Sequence, residues 1–327
     1  MIRGEEFTIG NGGMRLDAAV LEHCPSSTRS LVKDAIGRGE ILVNGRKAAK
    51  GVKLKGNERV KIICLLESAD YLALPDGEPP APVFEDEYLI AFDKPAGMPV
   101  QPLSCRETGT LMNAVSNRYP ECRSLGDRPL MAGAVHRIDA DTSGLVLVAR
   151  TADSFECLRR QFSEQTVKKT YLALVEGEVK DGGTVESNLI HDPSLPFCKM
   201  VDLERWSARH GRVPRQRAFH ALTEFVPIAG TTVENEKRTL LKVTIRTGVT
   251  HQIRAQLSSS GMHIINDRLY GAFAVEHQTG HCLHALSAEF NHPASGLPVR
   301  ISTPLPSWAR FARENSAEPQ DIVAEFI

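Results

Sequence analysis

The sequence predicts two domains that mix helix with strand, a small basic one over residues 14–62 and a larger one over 83–327, with a linker at 63–82. Three observations predict this. Charge is uneven: residues 14–62 hold eleven Lys and Arg against five Asp and Glu, a net of +6, so the rest of a chain whose total is −1 carries −7. Proline is uneven too, with Pro75, Pro79, Pro80 and Pro82 set among scattered acids, a composition that suits a semi-extended connection. On either side, apolar residues recur at helical spacing in some stretches and alternate in others.

The 327 residues leave room for two domains, and 42% hydrophobic with 24% charged content is ordinary for a globular protein. A total charge near zero excludes binding nucleic acid as a polycation throughout, so any basic surface is local. The seven cysteines (24, 64, 105, 122, 157, 198 and 282) are odd in number, widely spaced and without a Cys-x-x-Cys pair, which favours reduced thiols over a disulfide framework or a zinc ribbon. The stretch from Met1 to Gly10 has no apolar signal core, and no run approaches the roughly 20 apolar residues that span a bilayer. A cytoplasmic protein without a membrane anchor is expected.

Taken in order, residues 1–13 end in glycines and read as a flexible entry. Leu16, Ala19, Val20 and His23 have helical spacing. Ser26 to Ser30 supplies N-cap candidates for a second helix through Leu31, Val32 and Ile36 that stops at Gly37 or Gly39. Ile41 to Val43 reads as a short strand entering an Asn44-Gly45 turn, and Arg59 to Ile63 as a closing strand. Beyond the linker, Tyr88 to Phe92 is a strand that ends in a Pro95/Gly97 turn, and Leu145 to Ala149 is a buried strand. Thr151 or Asp153 caps a helix with Phe155, Leu158 and Phe162 on its apolar face. Lys168 to Gly177 alternates, with Tyr171, Ala173 and Val175 on one side. Residues 181–218 are polar, rich in Gly and Pro, and read as a loop excursion with a basic segment from Arg205 to Arg217. Leu241, Val243 and Ile245 face inward along a strand, after which Thr250 caps a helix that buries Ile253 and Leu257 and closes at Gly261.

Chemistry concentrates between Ala134 and Arg150. There His136, Arg137, Asp139, Asp141, Thr142 and Ser143 crowd the mouth of the buried strand. If residues 136–139 run extended, Arg137 and Asp139 share one side and His136 and Ile138 the other. Gly144 suits a tight turn or a close backbone approach. An ion pair on the surface beside an edge strand fits these residues as well as a site does, and the local pattern leaves both open. A kinase-like loop does not fit: Ile138 interrupts His-Arg-Asp and no Asp-Phe-Gly follows. His277, His281 and His284 lack a completing ligand set, so a metal-dependent hydrolase is a remote reading and no metal is expected.

The run from His136 to Gly144, His-Arg-Ile-Asp-Ala-Asp-Thr-Ser-Gly, resembles the His-Arg-Leu-Asp-x-x-Thr-Ser-Gly motif of the RluA family of RNA pseudouridine synthases. Further resemblances follow in the family's order: Lys94-Pro-Ala-Gly97, Lys169-x-Tyr171-x-Ala173 within the alternating strand, the stretch from Thr247 to Leu257 with Gly261 and Asp267-x-x-Tyr270-Gly271, and Leu283-His-Ala285 with His292-Pro293. Residues 14–62, with Gly39-x-Ile-x-Val-Asn-Gly45, are similar to the S4 RNA-binding domain. Gln101 stands where the family often has histidine, Val249 where it often has a basic residue, and Asn266 where glycine is frequent.

The resemblance implies an α+β fold: a largely antiparallel mixed sheet with a central cleft, preceded by a small α+β S4 domain. It implies isomerisation of uridine to pseudouridine in structured RNA, with no cofactor. By the family's pattern Asp139 is the catalytic residue, Arg137 fills the gap left by a flipped uridine, Tyr171 lies against the base, and Arg254 pairs with the aspartate. His136, Thr142 and Ile253 are further substrate-binding candidates. Arg29, Lys33, Arg38, Asn44, Arg46 and Lys47 are candidate RNA contacts of the S4 domain, binding phosphates without reading sequence. The basic segment at 205–217 is a candidate second contact. Large-subunit ribosomal RNA is the expected substrate and transfer RNA the alternative, with a monomeric enzyme. A non-catalytic RNA-binding or ribosome-assembly protein of the same fold is the alternative to an enzyme.

Overall fold

A computed structural model describes residues 1–311 apart from 11, 50, 68–69, 71, 128–129, 196–198, 234 and 272–279. Lys50, Cys198 and His277 therefore lie outside the described residues. The chain divides into two compact units, Met1–Leu72 and Ala73–Ile327. No helix among the described residues is long and apolar enough to cross a membrane.

The first unit runs β1 (Glu6–Thr8), α1 (Leu16–His23), α2 (Arg29–Arg38), β2 (Ile41–Val43), β3 (Arg46–Lys47) and β4 (Arg59–Ile62), with the strands antiparallel in the order β1-β4-β2-β3. Helix α1 buries Leu16, Ala19 and Val20, and α2 buries Leu31, Val32, Ala35 and Ile36. Thr28 caps α2 by accepting from the Leu31 N–H, and Gly39 ends it at φ 75°. Asn44 and Gly45 both take positive φ (50° and 75°), the turn whose twist matches that of a hairpin. The entry is not the flexible lead that its glycines suggest. Thr8 pairs with Arg59, Ile2 bridges Leu65, and Ile9 is buried, because β4 would otherwise expose an open edge. The proline-rich stretch is tied at both ends: Leu65 and Leu66 are buried, Ala73 joins the core of the second unit, and Pro82 opens a strand.

The second unit runs β5 (Pro82–Glu85), β6 (Leu89–Lys94), α3 (Leu111–Arg118), β7 (Ser143–Ala149), α4 (Ala152–Ser163), β8 (Lys168–Glu176), β9 (Gly183–His191), β10 (Met200–Asp202), α5 (Leu203–His210), β11 (Phe219–Val233), β12 (Glu236–Ile245), α6 (Gln252–Ser259), β13 (Leu283–Asn291) and β14 (Pro298–Ser302). Its strands form one sheet in the order β10-β9-β11-β12-β8-β13-β7-β6-β5, with β14 added to β13. Every pairing is antiparallel except β7 with β13, so the fold is α+β on a mixed, mostly antiparallel sheet. Where β7 meets β13, Gly144 takes φ 109° and a β-carbon there would strike the Ala285 backbone. Gly144 is thus a residue of close approach.

The core sits on the central strands, with Phe92, Leu147, Ala173, Leu241 and Val243 fully buried. Thr151 and Ser154 form a capping box that starts α4, which packs Phe155 and Leu158 on the sheet. Burying a leucine such as Leu158 contributes roughly 1.5–3 kcal/mol. A smaller core of Leu189, Met200, Ala221, Ala255 and Tyr270 lies where α6 meets β9 and β10.

Two expectations are corrected. Residues 181–218 are not a loop excursion: β9 pairs with β11 along Phe219↔Leu189 to Phe225↔Gly183, β10 adds to the edge, and α5 follows, capped by Asp202 and closed by Gly211 at φ 64°. Sheet pairing there overrides a polar composition. Helix α6 starts one residue later than a Thr250 cap implies. His251 is its N-cap at φ 53°, with no side-chain cap bond, and Ser260 rather than Gly261 is its C-cap. The Gln252 amide oxygen instead accepts from the Val249 N–H and the Thr247 hydroxyl.

Candidate active site

Asp139 sits in a tight turn, its carbonyl accepting from the Thr142 N–H at 3.2 Å. Lys94, at the end of β6 and fully buried, clamps that turn. Its ammonium donates to the carbonyls of Pro95, Met98 and Ala140 at 2.8, 2.7 and 2.9 Å, and the Gly97 N–H donates to the same Ala140 carbonyl. Burial pushes the Lys94 pKa down to about 8, against the pull of Asp141, Asp139 and Asp93. The Lys-Pro-Ala-Gly element thereby fixes the residue next to Asp139.

The Asp139 carboxylate meets Arg254 of α6, whose Nη1 donates to Oδ2 at 2.7 Å. Arg254 is itself held by Asp267, which accepts from Nε at 2.7 Å and from Nη2 at 2.9 Å, a bidentate pair with the aspartate only 1% exposed. Burial alone would lower the Arg254 pKa, but the hydrogen bonds and charges of Asp267 and Asp139 outweigh it and hold it raised. Burial likewise opposes ionisation of Asp267, and Arg254, His281 and the Leu269 N–H overcome it, so its pKa lies below the usual carboxylate range. Arg254 is a permanent cation aimed at Asp139.

His251 stands on the same carboxylate oxygen, its Nε2 3.7 Å from Asp139 Oδ2. Its Nδ1 lies 3.1 Å from the Tyr270 hydroxyl, which accepts from the Met200 N–H. Burial raises the Tyr270 pKa, so the phenol keeps its proton and donates it to Nδ1. The ring proton of neutral His251 then belongs on Nε2, toward Asp139. Burial also lowers the His251 pKa, against the charge of Asp139.

These groups line a cavity of about 540 Å³, together with Ala140, Asp141, Asn266, Arg268, Leu269, Gly280 and His281. That volume is within the range of small-ligand pockets, about 300–1,000 Å³. Asn266 adopts φ 65°, so the turn is kept without glycine.

The structure brings Asp139 and Arg254 together at the cavity. Tyr171 is buried on β8, where burial first and the charge of Asp139 second raise its pKa. Thr142 is buried and holds the cavity residue His281, Oγ1 to Nε2 at 2.7 Å. Ile253 packs in the main core and does not line the cavity. His136 turns away from it: Nε2 accepts from the Leu147 N–H at 2.9 Å and the ring stacks on Phe162 at 4.7 Å. Burial pushes its pKa down to about 3. Arg137 is exposed and its side chain makes no ion pair among the described residues. In the first unit Arg29, Lys33, Arg46 and Lys47 are exposed, Arg38 pairs with Glu40 at 2.9 Å, and the Asn44 side chain accepts from the Arg59 N–H at 2.9 Å, a bond that braces the hairpin.

Sequence reasoning passed over His251, Asp267, Tyr270, His281 and Lys94 as site residues. Lys94, Asp267 and Tyr270 lay inside recognised motifs, but their contacts with residues 139–140, 254 and 251 are tertiary. His281 and His284 prove to serve hydroxyls, His284 bonding Ser143 at 2.8 Å and Thr303 at 2.8 Å. Among the described residues, the one group of three or more His, Cys, Asp or Glu with ligand atoms within 4.8 Å of one another is Glu5, His23 and Cys24, in the first unit.

Residues 88–259 match the family described as RNA pseudouridylate synthase, and residues 14–60 match the S4 domain. The chain belongs to the RNA pseudouridylate synthase family. Its activity is that of an RNA pseudouridine synthase, an isomerase. It is similar to "Ribosomal large subunit pseudouridine synthase D" of Xanthomonas campestris pv. campestris, 33% identical over 95% of this chain and 92% of the relative. It is also similar to the protein of that name in Nitrosomonas europaea, 33% identical over 90% of this chain and 82% of the relative. The solved structure of human RNA pseudouridylate synthase domain containing 1 shares the synthase fold, with a TM-score of 0.55 at 21% identity, over 77% of this chain and 89% of the human chain.

Proposed function

We propose that this synthase acts in the cytoplasm on large-subunit ribosomal RNA and that Asp139 is its catalytic residue. The ribosomal substrate is supported by relatives that carry that description and align over most of their length. The observation that carries the catalytic assignment is the chain of contacts Asp139–Arg254–Asp267 at the cavity. Arg254 bonds both carboxylates, and its hydrogen bonds and charge hold Asp267 below the usual carboxylate range against its burial.

In the reaction the C1′–N1 bond breaks, uracil turns over while bound, and C5 bonds to C1′. The proton lost from C5 is matched by one gained at N1, so the product is an isomer and no electrons are exchanged with another molecule. Attack on C1′ and removal of a proton both call for the carboxylate form of Asp139, which the Arg254 Nη1 hydrogen bond holds in position. Reaching a uridine in folded RNA requires unstacking it, at a cost of a few kcal/mol. Arg137, exposed and without an ion pair, is free to occupy the vacated position. The protonated Tyr171 phenol offers a ring for the base and a group for the last proton transfer. Exposed Arg29, Lys33, Arg46 and Lys47 supply phosphate contacts.

The test is pseudouridine mapping of total RNA, by carbodiimide labelling and primer extension, in cells with the gene intact, deleted, or restored as Asp139→Asn. A ribosomal RNA site lost on deletion and not restored by the variant is the expected result. A site lost from transfer RNA alone would remove the ribosomal assignment, and full restoration by the variant would remove Asp139.

A further inference from the structure

The geometry points to a second RNA-binding surface on α5 and the turn after it, which grips phosphates flanking the target uridine; this rests on the reading above that the substrate is a large RNA. Between residues 205 and 217 the chain carries Arg205, Arg209, Arg212, Arg215 and Arg217 and not one Asp or Glu. All five are exposed. Arg209, Arg212, Arg215 and Arg217 make no ion pair with any described carboxylate, whereas the exposed or half-buried Arg15, Arg59, Arg150 and Arg159 each have one. Like charges this close repel, and an anion laid across them relieves the repulsion.

The way α5 is built argues the same. An eight-residue helix does not form by itself in water, and this one buries a single residue, Trp206. Every other device serves to pin it: the Asp202 cap, the indole N–H on Asp192 at 3.3 Å, His210 stacked on the indole at 4.1 Å, and the Arg205 guanidinium on the Ser259 carbonyl at the end of α6. Once pinned, the helix covers little apolar surface. What its C-terminal end and the turn after it present are the exposed guanidinium forks of Arg209, Arg212, Arg215 and Arg217, the donor geometry that matches phosphate. It has no apolar face, so insertion into a bilayer does not account for it.

Its position fits the substrate path. Strand β10 leads directly into α5, and the Met200 N–H on β10 donates to Tyr270, the residue that orients His251 beside Asp139. Lys199 lies 5.2 Å over the Tyr270 ring, and Arg268 lines the cavity itself. Lys199, Arg268 and Arg205, which reaches the end of α6, thus put positive charge on the elements that join the cavity to α5.

The purified full-length protein tests this against a transcript of large-subunit ribosomal RNA, with affinity measured as a function of salt. Arg209, Arg212 and Arg215 are replaced together by Ala and, separately, together by Lys. Loss of three single-strand phosphate contacts should flatten the slope of log affinity against log salt by about 2 and weaken binding about tenfold or more near 100 mM salt. The Lys variant should recover most of the slope, and both variants should form pseudouridine at the wild-type rate once RNA is saturating. Wild-type affinity and slope in the Ala variant would overturn the surface. So would a salt-dependent loss of binding to anionic phospholipid vesicles with RNA binding intact, which would assign the arginines to a membrane. A wild-type protein that binds the transcript through these arginines yet forms no pseudouridine would uphold the surface and defeat the substrate assignment instead.

Discussion

Arg254 and the arginines of α5 place the same side chain in opposite circumstances. Arg254 is buried at 8% exposure with Nε, Nη1 and Nη2 bonded to two carboxylates, while Arg209, Arg212 and Arg215 are exposed and paired with none. A buried ion pair contributes little net stability over apolar packing, because desolvation offsets attraction. What the buried triad supplies is a fixed charge and direction for the Asp139 carboxylate. Arg209, Arg212 and Arg215, at the end of α5 and in the turn after it, stay exposed, contribute little to folding, and keep their hydrogen-bonding capacity for an anion from outside.

Breaking the buried side should have the largest effect. Asp267→Asn leaves Arg254 buried with half its charge compensation and free to turn from Asp139. We expect a loss of about 3–5 kcal/mol in urea unfolding, the cost typical of an orphaned buried charge. Turnover should fall about a hundredfold, the scale of a misplaced catalytic group. A wild-type unfolding midpoint would break the contrast at once.

Acid should act in the same region next. His136, His281 and His284 have folded pKa values of about 3, 4 and 4, each lowered first by burial. Between the unfolded value near 6.5 and these folded values, the unfolded chain binds protons that the folded chain refuses, so stability falls as pH falls. Between pH 7 and pH 5 each histidine accounts for roughly 2 kcal/mol by that linkage. Asp267 has the same sign, since its depressed folded pKa stabilises the fold above the unfolded value and is lost as pH drops through it. Denaturant midpoints at pH 7, 6 and 5 should decline together; a flat series would contradict neutral buried histidines.

The smallest effect belongs to α5. Replacing Arg209 or Arg215 by Ala should shift unfolding by no more than about 0.5 kcal/mol each, as expected for exposed positions without an ion pair among the described residues, and Arg212, 5.6 Å over the Trp206 ring, by little more. A larger shift in a thermal or urea melt would mean that the arginines hold the fold together, and the contrast with Arg254 would close.

The regions also differ in how legible they were. Strand alternation from Lys168 to Gly177, the apolar run at 145–149 and the Thr151 cap are local signals, and the fold follows them. The motif around Asp139 was equally plain. Its environment was not, because Asp267, His251 and His281 reach Arg254, Asp139 and Thr142, respectively, only after the sheet is assembled. His136, a substrate-binding candidate only through the resemblance, faces Phe162 with its ring bonded to the Leu147 N–H, on the side that the two-residue period sets opposite Arg137 and Asp139. Helix α5 was read as loop because one tryptophan among arginines gives no apolar period. Strand β1 escaped notice because three residues carry no pattern and β4 recruits them.

The account rests most directly on Asp139. We would measure pseudouridine formation and RNA affinity side by side for wild type and Asp139→Asn, on the same ribosomal RNA transcript at one salt concentration. The account predicts no detectable product from the variant, with affinity within about twofold of wild type, since phosphate contacts elsewhere supply the binding. Product at a rate comparable to wild type would show that the Asp139–Arg254–Asp267 array is structural and that the chemistry lies with another group.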